Sequence, residues 1–292
     1  MNMYYFGSAL NTASLYMVAG CGAAISFKSG ELNLGGEGQV YLGGFLMAVL
    51  LDKMAALPAI LALPLALLAS FTATGLLTLF SAFLKKRRNA DFLFTSYITS
   101  SAIIPFIDSL ISGPFRSHSE NLLATPFIAQ NFRLPSILKP SPLNAKIFLA
   151  PVLCFLFFML IFRTAYGRKL CIYGTSKKFA DFANYPSQKL AASSAFISGG
   201  MHGLCGALAI TGTYFTCHSG FYSGFGWNSF SAALLADSNP LLLAPASIFL
   251  GFVTTYSSKF ALYHNYGFDM GSLIQGAVML AVSFTVIKRE DK

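Results

Sequence analysis

The chain has 292 residues, of which 55% are hydrophobic and 11% charged, with a mean hydropathy of +0.61 and a formal net charge of +9. Soluble domains carry about a quarter charged residues, so this balance argues against an ordinary water-soluble enzyme and for an all-α protein that crosses a membrane repeatedly. The bases lie between apolar runs, with no basic stripe interleaved with exposed aromatics, so nucleic acid is not an expected partner.

The first apolar run, about Ser8–Phe27, is rich in small residues that let helices approach closely. No basic n-region or small-residue cleavage site marks a removable signal, so this run is expected to stay. Ser29–Gln39 follows, with four glycines, Asn33, Glu31 and Glu37. A helix tolerates that glycine density poorly, and hydrocarbon does not tolerate lipid-exposed irregular backbone. The stretch is therefore either a surface turn or a helix break buried in protein. Val40–Leu51 is shorter than the ~20 residues of a full crossing, so it has to borrow from the glycine-rich stretch.

A third run, Leu57–Leu84, stops at Lys85-Lys86-Arg87-Arg88, and a fourth, Phe92–Ile111, carries Asp108 near its end. The proline-rich polar loop over residues 113–146 is the longest and is expected to fold over one surface. Ile147–Phe162 is the fifth run, followed by a basic loop over residues 163–189 with helix-forming pieces. The sixth, Leu190–Phe215, holds His202. A second glycine-rich break, Ser219–Gly226, precedes the short piece Trp227–Ala236. Leu241–Tyr256 is the seventh run, Ser257–Gly267 a polar link, and Met270–Ile287 the eighth. The count is thus about eight to nine membrane segments in one domain spanning residues 1–292.

Placing Lys28, Lys85–Arg88, residues 163–189 and the C-terminus in the cytoplasm puts 14 of the 20 Lys and Arg residues on that side, as the positive-inside rule requires. In that orientation Ser29–Asp52 runs inside to outside and Ser219–Asp237 outside to inside. Each follows a small-residue run and leads into a short apolar piece ending in Asp. Discontinuous helices paired in this way indicate an inverted repeat, here residues 8–112 and 190–287, with a solute path between the breaks.

Chemistry on a substrate finds little support. There is no phosphate loop of the Gly-x-x-x-x-Gly-Lys type, no His-Glu-x-x-His and no nucleophile–base pair. His118, His202, His218 and His264 lack ligand spacing, and Cys21, Cys154, Cys171, Cys205 and Cys217 are odd in number and scattered, so neither a metal site nor a disulfide framework is expected. Cysteines so placed act as small hydrophobes. His202 is either an interhelical hydrogen-bonding residue or a solute contact. A carboxylate at Glu37, just before an embedded run, has to be paired or wet. With Asn33 and Gln39 it is a candidate for lining a pathway.

Gly30-Glu31-Leu32-Asn33-Leu34-Gly35-Gly36-Glu37-Gly38-Gln39 resembles the Gly-x-x-Asn-Ile-Gly-x-Glu-Gly-Gln signature of bacterial ABC-importer permeases, in the branch serving nucleosides, riboflavin and simple sugars. Gly224-Phe225-Gly226-Trp227-Asn228, continuing to Asn239-Pro240, resembles a second block of that family, with Asn228 for its Asp and Ala236 for its Gly. Leu273-Ile274-Gln275-Gly276 resembles part of its last helix. The resemblance implies a multi-pass permease subunit of the bacterial inner membrane with a cytoplasmic C-terminus. It is not itself an enzyme and needs no cofactor, because ATP is used by a separate ATP-binding subunit. It also implies a second permease subunit in a heterodimer and an extracytoplasmic substrate-binding lipoprotein. Asn33, Glu37, Gln39, His202, Trp227 and Asn228 would line the path. The basic loop would seat in the ATPase through Arg168, Gly174, Lys177, Lys178, Phe179, Ala180 and Ala183, although Ser176, Lys177, Phe179 and Asn184 depart from the family's pattern there. An ion-coupled secondary transporter is the alternative; it is disfavoured because Asp108, Asp237 and Asp269 lie near segment ends.

Overall fold

Every extended apolar run in the described part of the chain becomes a helix. In the computed structural model, residues 3–117 and 122–264 are described, together with positions 273, 276, 277, 280 and 281. The eighth run, the last-helix motif around Leu273 and the basic C-terminus lie outside the continuously described residues. Among the described residues ten α-helices follow in order: α1 Met3–Lys28, α2 Gly36–Lys53, α3 Ala59–Arg88, α4 Phe92–Ser112, α5 Lys146–Phe158, α6 Ala165–Thr175, α7 Lys177–Phe182, α8 Ser187–Ala209, α9 Phe225–Leu235 and α10 Pro240–Tyr263. α5 and α8 each end in a π-helical turn, Met159–Arg163 and Ile210–Tyr214. Six of these helices, counting the π turns with α5 and α8, are long and apolar enough to cross a bilayer, and α2 and α9 are not among them.

Helix ends fall where the local chemistry puts them. Lys85–Arg88 occupy the last turn of α3, where cations meet the negative end of the helix dipole, and Asn89 closes that helix in the left-handed region at φ 50°. Asp91 caps α4, accepting from the Leu93 amide at 3.2 Å, and Asn239 caps α10, accepting from Leu241 at 3.1 Å with Pro240 in the first helical position. α10 continues through Ser257 and Ser258, which the sequence reading assigns to a polar link. Their hydroxyls donate back to the Val253 and Thr254 carbonyls at 2.6 and 2.9 Å, so they need no water and the helix runs on to Tyr263.

α1 and α8 form the centre of the bundle. In each, 83% of the apolar window is buried, against 28% for α3, α4 and extended α5 and 33% for α10. The outer helices turn Ile60, Leu68, Ile98 and Phe148 outward, a face suited to lipid rather than water. α8 packs on α3 and α2, α1 packs on α10 and α9, and α1 meets α8 between them. Small residues set these distances: Gly43 of α2 lies against Gly203 of α8, and Gly206 against the Val40 carbonyl. The free thiols of Cys21 and Cys154 face each other at 3.8 Å between α1 and α5, both buried.

Lys28, the end of α3, α6, α7 and the start of α8 share one face of the bundle, which carries most of the described bases. Residues 122–134 fold over the opposite end. Their backbone bonds to the 211–219 segment, through the Thr125 amide to the Cys217 carbonyl at 3.0 Å, Ile128 to Phe215 at 2.8 Å and Leu134 to Thr211 at 2.9 Å. This part of the long polar loop lies over the end of α8 and the segment that leads into the second glycine-rich break.

Candidate functional site

The two breaks meet inside the bundle. Residues 29–35 leave α1 through a turn at Ser29-Gly30 and reach the start of α2 without helix, and residues 215–224 leave α8 and reach the start of α9. The first turns of α2 and α9 touch at Gly36 and Gly226. A methyl added to Gly226 would lie 2.5 Å from the Glu37 amide nitrogen and 2.6 Å from the Gly36 carbonyl carbon; one added to Gly36 would meet the Gly226 Cα at 2.9 Å. Only a residue without a side chain lets two helix N-termini approach this closely.

Two positive helix ends facing each other need negative charge or acceptors nearby. Glu37 supplies both to α9. Its Oε1 accepts from the Trp227 amide at 3.0 Å and its Oε2 from the Gly224 amide at 3.2 Å. α2 has no cap from its own preceding residue. Its Gly38 amide donates instead to Ser100 Oγ of α4 at 2.7 Å, and the Leu34 amide just before it to Ser96 Oγ at 3.1 Å. Each half-helix is therefore capped by a different helix.

The other residues expected on the pathway divide into two groups. Asn33 and Gln39 are buried and pair with each other: Asn33 Nδ2 donates to Gln39 Oε1 at 2.9 Å and Gln39 Nε2 to Asn33 Oδ1 at 3.0 Å. Asn33 Nδ2 also donates to Ser198 Oγ of α8 at 2.9 Å, and Asn33 Oδ1 accepts from the Gly35 amide at 3.0 Å. His202 is buried beneath the crossing, its ring against Gly36, with Nδ1–H donating to the Ser198 carbonyl at 2.8 Å. Asn228 is buried and donates from Nδ2 to Tyr16 Oη at 2.7 Å; its Oδ1 has no partner among the described residues. Asn33 thus ties the first break to α2 and α8, Asn228 ties α9 to α1, and the His202 bond stays within α8.

Glu37 and Trp227 face space. They line a cavity of about 240 Å³ with Tyr97, Ser100, Ser101 and Tyr222. Tyr97 and Ser101 lie on the exposed face of α4, so the cavity joins the crossing to the outside of the bundle. Three aromatic rings, three serine hydroxyls counting Ser223, and one carboxylate suit a ring compound with polar substituents. Beyond the cavity, Asp108 of α4 ties α2 to the second break: Oδ1 accepts from Tyr41 Oη at 2.6 Å and from Ser219 Oγ at 2.7 Å.

The basic loop forms a two-helix hairpin. Thr164 caps α6, accepting from the Gly167 amide at 3.0 Å, and Ser176 caps α7, accepting from Phe179 at 3.3 Å. Arg168, Lys177, Lys178 and Phe179 are exposed, Ala180 is fully buried, and Ala183 is half-buried. Phe182, the last residue of α7, is 87% exposed. Gly174 is packed backbone to backbone on the end of α1: a methyl there would sit 3.0 Å from the Gly30 amide nitrogen, and Gly30 itself has φ +65°. Among the described residues no three His, Cys, Asp or Glu side chains gather in a way that suits a metal ion.

Glu31, Lys85, Tyr173, Ser198 and Ser100 join the site in the structure, although no sequence motif marks them. Glu31 is buried with its carboxylate ion-paired to Lys85 through Oε2 and to Lys177 through Oε1 at 3.0 Å, where Tyr173 Oη also donates at 2.8 Å. Burial pushes this carboxyl up, but the bonds from Lys85, Tyr173 and Lys177 outweigh it and hold it below the usual range. The available signal was a carboxylate inside a glycine-rich break; its partners lie 54 and 146 residues away.

Residues 5–283 match the family described as branched-chain amino acid transport system / permease component. The chain is 30% identical over 288 residues to the probable riboflavin import permease protein RfuC of Treponema pallidum, covering 96% of this chain and 74% of that protein. It is 26% identical over 258 residues to the guanosine ABC transporter permease protein NupP of Bacillus subtilis, covering 85% of this chain and 72% of that protein. It is 22% identical over 275 residues to the glucose ABC transporter permease protein TsgB13 of Haloferax volcanii, covering 90% and 72%. No solved structure matches the chain significantly.

Proposed function

We propose, on the footing that this chain belongs to the branched-chain amino acid transport system permease family, that it is the membrane permease subunit of an ABC importer for a riboflavin- or nucleoside-type solute. The observation that carries the reading is the crossing of α2 and α9. Two half-helix N-termini meet inside the bundle, a carboxylate bridges them, and an aromatic, hydroxyl-lined cavity opens beside them. Discontinuous helices of this kind place solute sites near the membrane midplane. The riboflavin and guanosine permeases among the relatives and the rings of Tyr97, Tyr222 and Trp227 favour a planar heterocycle over a simple sugar.

The two halves support a single domain built as an inverted repeat. α1 packs on α10 as α8 packs on α3, and α1 packs on α9 as α8 packs on α2. Exchanging α1 with α8, α2 with α9 and α3 with α10 leaves this pattern unchanged. Rocking one half against the other would part the two N-termini and expose the Glu37 side of the cavity to alternate sides of the membrane. The solute is moved, not altered. ATP would be consumed by a separate subunit seated on α6 and α7, where Phe179, Phe182, Lys177 and Lys178 are exposed. A second permease subunit, distinct from this one, and an extracytoplasmic substrate-binding lipoprotein complete the assembly, with the basic face of the bundle and the C-terminus in the cytoplasm.

The experiment is capture of the intact complex from its own membranes by a tag on this chain, followed by reconstitution. Co-purification of an ATPase, and ATP-dependent uptake of labelled riboflavin or guanosine, support the reading. Uptake by the chain alone on a proton or sodium gradient overturns it.

A further inference from the structure

Glu31 ties the α6–α7 hairpin to the end of α3 and to the loop before α2. Glu31 takes Lys177 from the first turn of α7, Tyr173 from α6 and Lys85 from the last turn of α3. It sits in the loop that leads into α2. Beside it, the Gly174 and Gly30 backbones touch with no room for a side chain on either. A shift of the hairpin therefore has to carry residues 29–31 with it.

From Glu31 the connection continues inward without a gap. Its backbone carbonyl accepts from Ser26 Oγ, and Ser26 Oγ accepts from the Asn33 amide at 2.8 Å. Asn33 then holds Gln39 of α2 and Ser198 of α8 through its side chain. Gln39 lies two residues past Glu37, and His202 lies one turn past Ser198 with its ring under Gly36. The chain of contacts thus runs from the exposed hairpin to the crossing of α2 and α9. A cavity of about 620 Å³ adjoins Glu31, Lys85, Tyr173 and Lys177, walled by α3 and the start of α8. It gives Lys177 of the hairpin and Lys85 of α3 open space beside Glu31.

We infer that Glu31 is the joint that passes movement of the α6–α7 hairpin to the crossing of the two half-helices, a positioning residue and not a solute contact. Glu31 is buried while Lys85 and Lys177 are partly exposed, so these pairs add little stability; their role here is to set where the hairpin sits. The inference rests on the reading that α6 and α7 meet an ATPase.

The test is Glu31→Gln in the captured complex, reconstituted into proteoliposomes and supplied with labelled riboflavin or guanosine. Uptake and ATP hydrolysis are measured together, with co-purified ATPase as the assembly control. The joint predicts that hydrolysis stays within about twofold while uptake per ATP falls about tenfold or more, the scale of a typical coupling energy. Lys177→Met and Tyr173→Phe, which remove one strut each, give smaller losses of the same ratio. An unchanged ratio in Glu31→Gln overturns the joint, whether or not both rates fall. If Glu31→Gln fails to assemble, Lys177→Met decides, because Lys177 is half exposed; an unchanged ratio there overturns it equally. Wild-type complex without ATP-dependent uptake overturns the importer reading itself, a result distinct from a working wild type whose variant keeps its ratio.

Discussion

Gly226→Ala inserts one methyl between the two half-helices. Its carbon would lie 2.5 Å from the Glu37 nitrogen and 2.6 Å from the Gly36 carbonyl carbon. Both are backbone atoms of the first turn of α2, so no side-chain rotamer relieves the clash. Ordinary contact needs the N-termini about 1 Å further apart, and overpacking of this kind costs about 1–3 kcal/mol. The same displacement stretches the Glu37 bonds, now 3.0 and 3.2 Å, toward 4 Å, beyond useful hydrogen-bond length. Bonds to a charged group contribute about 1.5–3 kcal/mol each, and the carboxylate can follow its amides part of the way. A net cost of about 2 kcal/mol to the closed crossing remains, roughly a thirtyfold shift in its population at 1.4 kcal/mol per factor of ten. The assay is ATP-dependent uptake by the reconstituted complex, with thermal unfolding in detergent alongside. Uptake should fall by about that factor and the unfolding temperature should drop. Uptake within about twofold of wild type would show that the crossing is not a state the transporter passes through.

Three further outcomes follow from the same geometry. Glu37→Gln keeps the shape but turns one acceptor into a donor facing an amide N–H; uptake should fall by about tenfold, one charge-assisted bond, while membrane insertion, measured by protease accessibility of the loops, is unchanged. Asp108→Asn removes the charge that holds Tyr41 and Ser219; hydrogen exchange in residues 215–224 should quicken, and unchanged protection there would refute the tether. Lys177→Glu with Lys178→Glu reverses the exposed face of α7 and puts like charge beside Glu31; the amount of ATPase recovered with the chain should drop, and full recovery would remove α7 from the contact.

The crossing helices were legible because a lipid-spanning helix has to be almost wholly apolar, and the breaks because glycine density contradicts that requirement. Their meeting face to face was not legible, since nothing local in either sequence block states that Gly36 touches Gly226. Asn33, Gln39 and His202 are solute-contact types by residue, and in the structure Asn33 bonds Gln39 and Ser198 while His202 bonds back to the Ser198 carbonyl of its own helix. Residue type gives hydrogen-bonding capacity and not direction. Glu37 was found because an embedded carboxylate is costly unless paired; its partner proved to be the end of a helix and not a side chain. Glu31 was passed over because Lys85 and Lys177 come from distant parts of the chain. The polar link after Tyr256 misled for a different reason: serine hydroxyls that bond back to the preceding turn look like loop in sequence and behave as helix in a membrane.

The most direct measurement of the central claim is solute accumulation by proteoliposomes holding the complex captured on this chain, with ATP sealed on the side of α6 and α7. Saturable uptake of riboflavin or guanosine is expected, stopping when ATP is omitted and when the ATPase is stripped away. Uptake that persists without ATPase and follows an imposed proton or sodium gradient would contradict it.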